Sequence, residues 1–380
     1  MKKLILLLFV TLSIQFSFGT PWNQKSKLPA SGRHRGTGIA LADKGYIGLG
    51  HMNGTGNNIM YDDWWEFDPA TNSWTQKANY PVVNYACTVF SINNKAYAGG
   101  GVSLAGEFYE FNPMTNEWTS ISDCPESPGD ETAFTINGKA YITSGSTLVE
   151  YDPILDIWTY KAPPPISGWA ITSFSIQNSG FLKVDNDLYE YKPSVDQWTV
   201  RATFPGLVTN GGPSFTLNDK GYLLTGYSSF LSPVFSEMWE YDPATNGWIQ
   251  MDDFPGTSRR FGVAFAINNK GYFGIGTNGT NMNDFWEYNP DLEGVDISNT
   301  ERVTLSVYPN PATEQIKFSN LPINKSTELS IYSTFGQLIS TELINSSDHM
   351  ILRNNLSSGT YYYTLTSEQN LLTKGSFIFK

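Results

Sequence analysis

The chain has 380 residues with a formal net charge of −12, 40% hydrophobic and 16% charged residues, and 23 Phe, 21 Tyr and 11 Trp. That length allows two or three domains at about 100–200 residues each. The aromatic load excludes a disordered chain, and the net acidity excludes a nucleic-acid partner that binds through a basic patch. Three His and two Cys leave little material for a zinc site built from those residues.

The N-terminus reads as a secretory signal peptide over residues 1–19. Lys2 and Lys3 precede the apolar run Leu4–Val10, and Ser17-Phe18-Gly19 supplies small residues for cleavage after Gly19. Polar residues interrupt this stretch, which falls short of the about 20 apolar residues a membrane anchor needs. No later segment is predicted to span a membrane.

A repeat then governs residues 20–295. Its third strand and the following turn read Trp65-Glu66-Phe67-Asp68-Pro69, with Trp74 beyond. The pattern recurs around Glu110, Glu150, Glu190, Glu240 and Glu287, at a period of about 40–50 residues. A turn and an aromatic precede each copy, as in Asn94-Lys95-Ala96-Tyr97 and Asp219-Lys220-Gly221-Tyr222. Each unit therefore predicts four short antiparallel strands joined by tight turns. Six such units predict an all-β fold, a six-bladed β-propeller. The sixth unit lacks its motif Trp and fourth strand, while Trp22-Asn23-Gln24-Lys25 matches Trp74-Thr75-Gln76-Lys77 in register. The N-terminal strand, with Trp22 as its anchor, is thus expected to complete blade six and close the ring. The glycine runs and spaced aromatics resemble kelch repeats. That resemblance implies fold more than function, because such propellers serve both as binding modules and as enzymes.

Beyond an acidic linker, residues 296–302, the repeat stops and Trp disappears. Residues 303–380 predict a small antiparallel β-sandwich. Three runs mark it: Val307-Tyr308-Pro309-Asn310-Pro311-Ala312, the strand and turn ending at Gly336-Gln337-Leu338, and Ser358-Gly359-Thr360-Tyr361. With the terminal Lys380 they resemble the type A sorting domain of the type IX secretion system. In that family Pro309, Asn310, Pro311, Gly336, Gly359 and Tyr361 are motif positions. The resemblance implies export across the outer membrane by the type IX machinery. Removal of the domain then leaves the protein attached to surface lipopolysaccharide or released. Lys317, Lys325, Arg353, Lys374 and Lys380 balance five carboxylates in this segment, so the acidity belongs to the propeller.

Candidate site residues are sought where the units differ, since the six motif glutamates are expected to serve repeated hydrogen bonds. Twelve residues before each turn aromatic stand His34, Tyr85, Gly129, Trp169, Asn210 and Arg260. Together with their neighbours Arg33, Arg35 and Arg259, and with Glu131, these are expected to rim one mouth of the central channel. In kelch binding modules arginines here often hold an acidic ligand. Long links between strands two and three, His51–Asp63, Tyr227–Met238 and Thr277–Phe285, add loops of the kind that carry binding. The leading expectation is a non-catalytic surface binding module for a glycan or protein. The alternative is a carbohydrate-active enzyme resembling the kelch sialic acid epimerases, with Arg33, His34, Arg260 and Glu131 as its acid/base and carboxylate-binding groups. No nucleophile elbow, phosphate loop or zinc helix is present, so no catalytic residue, metal or cofactor is assigned. Cys87 and Cys124 sit on the innermost and outermost strands of one blade. The strands alone would hold them about 14 Å apart, and whether the loop after Cys124 returns far enough for a disulfide stays open.

Overall fold

The computed structural model describes residues 20–54, 57–130, 132–168, 171–207, 210–229, 232–292, 305–321, 327–333, 337–354, 356–367 and 370–380. The chain divides into two units, Met1–Pro290 and Asp291–Lys380.

The first unit is a propeller of six four-stranded antiparallel sheets, and its innermost strands neighbour one another in a closed ring. Blade two shows how sequence makes a blade. Its strands are Thr88–Ile92, Lys95–Gly99, Phe108–Asn112 and Glu117–Ser120. Asn93 and Asn94 turn the first hairpin with φ of 50° and 61°, the two left-handed residues that a tight hairpin requires. Alternate residues Phe90 and Ile92 enter the core, as period-two patterning dictates.

The motif glutamates serve this scaffold. Glu110 accepts from Lys95 Nζ at 2.6 Å and from Tyr97 Oη at 2.7 Å, both on the neighbouring strand. Glu150, Glu240 and Glu287 repeat this pair of bonds. In blade four, Phe181 replaces the tyrosine, and Ser179 and Arg201 take over Glu190. The carboxylates are thereby paired within their blades.

The blades are also clasped to one another at the periphery. At five junctions a backbone N–H donates to an Asn or Asp of the next blade, and the adjoining carbonyl accepts the motif Trp Nε1. Ala78 does so with Asn116 and Trp118 at 2.9 and 3.1 Å. Ser26, Ser122, Ala162 and Ala202 repeat the arrangement. At the sixth junction, between blades five and six, Trp22 fills the Trp position, but its Nε1 is buried without a hydrogen-bond partner. The strand Trp22–Lys25 pairs with Phe285–Tyr288, so the N-terminus closes the ring as expected.

The second unit is all β. One sheet orders Ser306–Tyr308, Gln315–Ser319 and Asp348–Leu352; the other orders Leu338–Ile344, Thr327–Tyr332, Gly359–Ser367 and Asn370–Phe379. Ile316, Phe318, Leu329, Leu365 and Phe377 fill its core. The motif positions hold the ends of this unit. The Tyr308–Pro309 and Asn310–Pro311 peptides are cis. Asn310 Oδ1 accepts from the Ile378 N–H at 2.9 Å, and Lys380 N donates to Ala312 O at 2.8 Å, tying the first run to the last strand. Gly359 opens a strand on which Tyr361 is buried, its hydroxyl donating to Ser357 O at 2.8 Å. Gly336 lies outside the described residues, as does the segment read as a signal peptide. Cys87 and Cys124 are buried free thiols. No helix among the described residues is long and apolar enough to cross a membrane.

Candidate functional site at the channel mouth

Where each innermost strand begins, three consecutive residues do three different jobs. The third residue forms an inner backbone ring. Arg35, Ala86, Asp130, Gly211 and Phe261 all adopt left-handed φ, from 52° to 67°. Their peptides bond from blade to blade: Ala86 N to Arg35 O, Asp130 N to Ala86 O, Phe261 N to Gly211 O, and Arg35 N to Phe261 O, at 2.8–3.1 Å. In four of the triplets the first residue supplies a second stitch. Its carbonyl accepts from a glycine of the preceding blade, as Asn84 does from Gly50 (2.9 Å) and Arg33 from Gly276 (2.8 Å). The middle residue is left to vary.

This division corrects two of the expected ligand contacts. Arg33 and Arg259 are 1% and 0% exposed and do not reach the mouth. Each guanidinium grips an aspartate through two nitrogens, Arg33 with Asp63 and Arg259 with Asp284. Each also donates to the carbonyl of a residue forced into the left-handed region, Leu49 at 3.1 Å and Ile275 at 3.0 Å. Their φ values of 56° and 52° are costly for such side chains. Asn84 performs the same service for Gly100 O at 2.8 Å. In blade four Gly168 has no side chain to offer, and Lys183 donates to Asp185 O at 2.6 Å instead. These groups are structural.

His34, Arg35, Tyr85, Asn210 and Arg260 do come together at the mouth. His34 and His51 exchange backbone hydrogen bonds at 3.0 and 3.1 Å, and their rings lie 4.2 Å apart. Tyr85 stacks on His51 at 3.8 Å with the planes 3° apart. The same backbone exchange joins Asn210 to Tyr227 and Arg260 to Thr277. Arg35 lies over the Phe261 ring at 4.3 Å and Arg260 over the same ring at 5.7 Å. Asp130 reaches across from blade three to Arg35 at 3.1 Å. Beneath them is a cavity of about 130 Å³, lined by Arg35, Cys87, Asp130, Ile171, Gly212 and Phe261 among others. Glu131 and Trp169 lie outside the described residues.

The electrostatics of the mouth follow from this crowding. Burial, the neighbouring His51 and the guanidiniums of Arg35 and Arg260 push His34 down to about 4, against a hydrogen bond to Asn281 Oδ1 that favours the charged form. Burial lowers His51 as well. Both imidazoles are therefore neutral at physiological pH, and burial together with Arg35 also disfavours the charge on Arg260. Arg35 and Arg260 thus share the Phe261 ring, with Asp130 paired to Arg35. Among the described residues no group of three or more His, Cys, Asp or Glu is placed to hold a metal.

Comparing the six triplets in sequence misses His51, Tyr227 and Thr277. They directly follow a glycine at or just past the end of strand two (Gly50-His51, Gly226-Tyr227, Gly276-Thr277), a local signal that marks them as backbone partners of the rim.

A family model described as "Secretion system C-terminal sorting domain" matches residues 306–379. No curated protein matches the chain. Among solved structures, one titled "Structure of YjhT" matches with a TM-score of 0.59 and 18% identity, covering 69% of this chain and 95% of that one. At that identity the likeness is one of fold. The second unit carries the sorting domain, and the protein is exported by the type IX secretion system to the outer cell surface or beyond it.

Proposed function

We propose that the propeller is the displayed cargo of this export route and acts as a binding module, seating an anionic group of its ligand against Arg35 and Arg260. The supporting observation is the convergence of two guanidiniums on one aromatic ring beside a cavity, with Asp130 paired to Arg35. Charge-assisted hydrogen bonds from arginine to a carboxylate, sulfate or phosphate contribute about 1.5–3 kcal/mol each. The cavity is small beside the about 300–1,000 Å³ of pockets that enclose a whole drug-sized ligand. It suits one group of a larger ligand lying across the rim. The sorting domain is removed after export in this reading, leaving the propeller bound to surface lipopolysaccharide or free.

A glycan array and a thermal-shift panel of acidic sugars and acidic peptides, run on the mature chain, test this. A binder whose affinity falls at least tenfold in Arg260→Ala, with the melting temperature unchanged, supports the site. A binder indifferent to both Arg260→Ala and Arg35→Ala moves the site elsewhere. Turnover of any sugar, lost in His34→Ala, would favour the carbohydrate enzyme instead.

A further inference from the structure

Each mouth imidazole is held at Nδ1 by an asparagine from one of the long loops. His34 Nδ1 lies 2.7 Å from Asn281 Oδ1, and His51 Nδ1 lies 2.8 Å from Asn58 Oδ1. Asn281 cannot be turned end for end, because its Nδ2 donates to the Asn53 carbonyl at 3.1 Å, and a carbonyl only accepts. Its Oδ1 must therefore face His34, and an amide oxygen also only accepts. The proton shared between them belongs to His34 Nδ1. A neutral imidazole carries one N–H, so Nε2 of His34 is left as a bare acceptor. Asn58 Oδ1 likewise faces His51 Nδ1, and His51 Nε2 is buried with no hydrogen-bond partner.

The mouth thus combines two kinds of demand. Arg35 and Arg260 can only donate, and suit an anion. His34 Nε2 can only accept, and requires an O–H or N–H beside that anion. The carboxylate of an acidic protein side chain brings the first without the second. A carbohydrate bearing an acidic group brings both, and offers C–H faces to Tyr85 and Phe261.

We propose that Asn281 is a positioning residue that fixes His34 as the Nδ1–H tautomer, and that the ligand of the mouth is consequently a hydroxyl-bearing anion, an acidic carbohydrate. This rests on the anion seat at Arg35 and Arg260. It also gives a role to the inserted loops of blades one and six. Asn53 and Asn281 join the two loops over His34, and blades three and four, whose links are minimal, have no such clasp among the described residues.

Selective ¹⁵N-histidine labelling of residues 20–380 tests the tautomer directly, because only His34, His51 and His349 contribute signals. At pH 7 the expected spectrum has His34 protonated at Nδ1 and bare at Nε2. Asn281→Ala should mix the tautomers, and Asn281→Asp, which keeps an acceptor, should restore the wild-type pattern. Titration with D-glucuronate and with cyclohexanecarboxylate then tests the ligand. Glucuronate should bind about fivefold more tightly, the equivalent of one net hydrogen bond of about 1 kcal/mol, and the gap should close in Asn281→Ala. A His34 protonated at Nε2, or one unaffected by Asn281→Ala, overturns the positioning role. Equal binding of the two carboxylates leaves the anion seat standing and removes the carbohydrate. Binding of neither removes the anion seat and the carbohydrate with it.

Discussion

Trp22 stands opposite Tyr288 in the ladder that joins the first strand of the propeller to its last, with the two rings 5.1 Å apart. Phe254 meets the same indole edge-on at 5.2 Å, so residues far apart in the chain share one buried cluster across the seam. The ring is closed by packing and by the strand ladder. The indole hydrogen bond found at the other five junctions is missing at this one, where Trp22 Nε1 is buried without a partner.

That asymmetry makes the tryptophans inequivalent. Trp118→Phe removes the donor to the Ala78 carbonyl and should cost about 1–3 kcal/mol beyond the lost ring volume. Trp22→Phe breaks no such bond and should cost less. Trp22→Ala should cost about 3–5 kcal/mol. Chemical denaturation of the three variants orders them, and a Trp22→Phe protein less stable than Trp118→Phe would contradict an indole that contributes by packing alone.

Adjacent arginines should separate into two phenotypes. Arg259→Ala leaves the partly buried Asp284 without its guanidinium and frees the strained Ile275 carbonyl, a loss of about 3 kcal/mol. Arg33→Ala should behave alike. Arg260→Ala should change the melting temperature little and weaken anion binding, with a smaller salt dependence of the affinity that remains, whereas Arg35→Ala also leaves Asp130 without its ion pair and should lower both stability and affinity. Melting curves and titrations of the four variants at two ionic strengths give the comparison.

His34 makes stability depend on pH. Its folded-state value of about 4 lies below the 6.5 of the unfolded chain, so unfolded molecules take up a proton in that interval and folded ones do not. The contribution to stability is complete above pH 6.5 and is lost progressively as pH falls to 4. At about 1.4 kcal/mol per pH unit the loss is bounded at roughly 3.5 kcal/mol. His34→Gln should flatten the urea midpoint between pH 6.5 and 4 relative to wild type, once both are measured across that range.

The sorting domain should act without the propeller. A reporter fused to residues 303–380 is expected outside a bacterium that has this secretion system, and the chain ending at residue 302 is expected in its periplasm. Fractionation with surface protease accessibility reads both, and periplasmic retention of the fusion would count against an autonomous signal.

Much of the architecture was legible because it is encoded over short spans. Asn93-Asn94 can turn only a tight hairpin, the alternation of Phe90 and Ile92 sets the buried face, and a unit lacking its fourth strand must find one, which Trp22–Lys25 supplies. The sorting domain was legible for the same reason, in the runs around Pro309-Asn310-Pro311 and Gly359-Thr360-Tyr361.

The site was legible as a region but not residue by residue. Arg33, His34 and Arg35 are consecutive and equally polar, and nothing local says which one meets a ligand. Tertiary structure separates them. The left-handed turn at Arg35 swings its peptide into the inner ring and its guanidinium over Phe261 from blade six. The strained carbonyl of Leu49, sixteen residues away, draws Arg33 inward to Asp63. His34 takes its protonation from Asn281, at the opposite end of the propeller sequence. The sequence by itself determined the number of blades, the closing strand and the export address, because each depends on local pattern and repetition. Which polar groups are spent on the scaffold and which face the channel was decided by tertiary structure alone, because their hydrogen-bond partners meet only when the ring is closed.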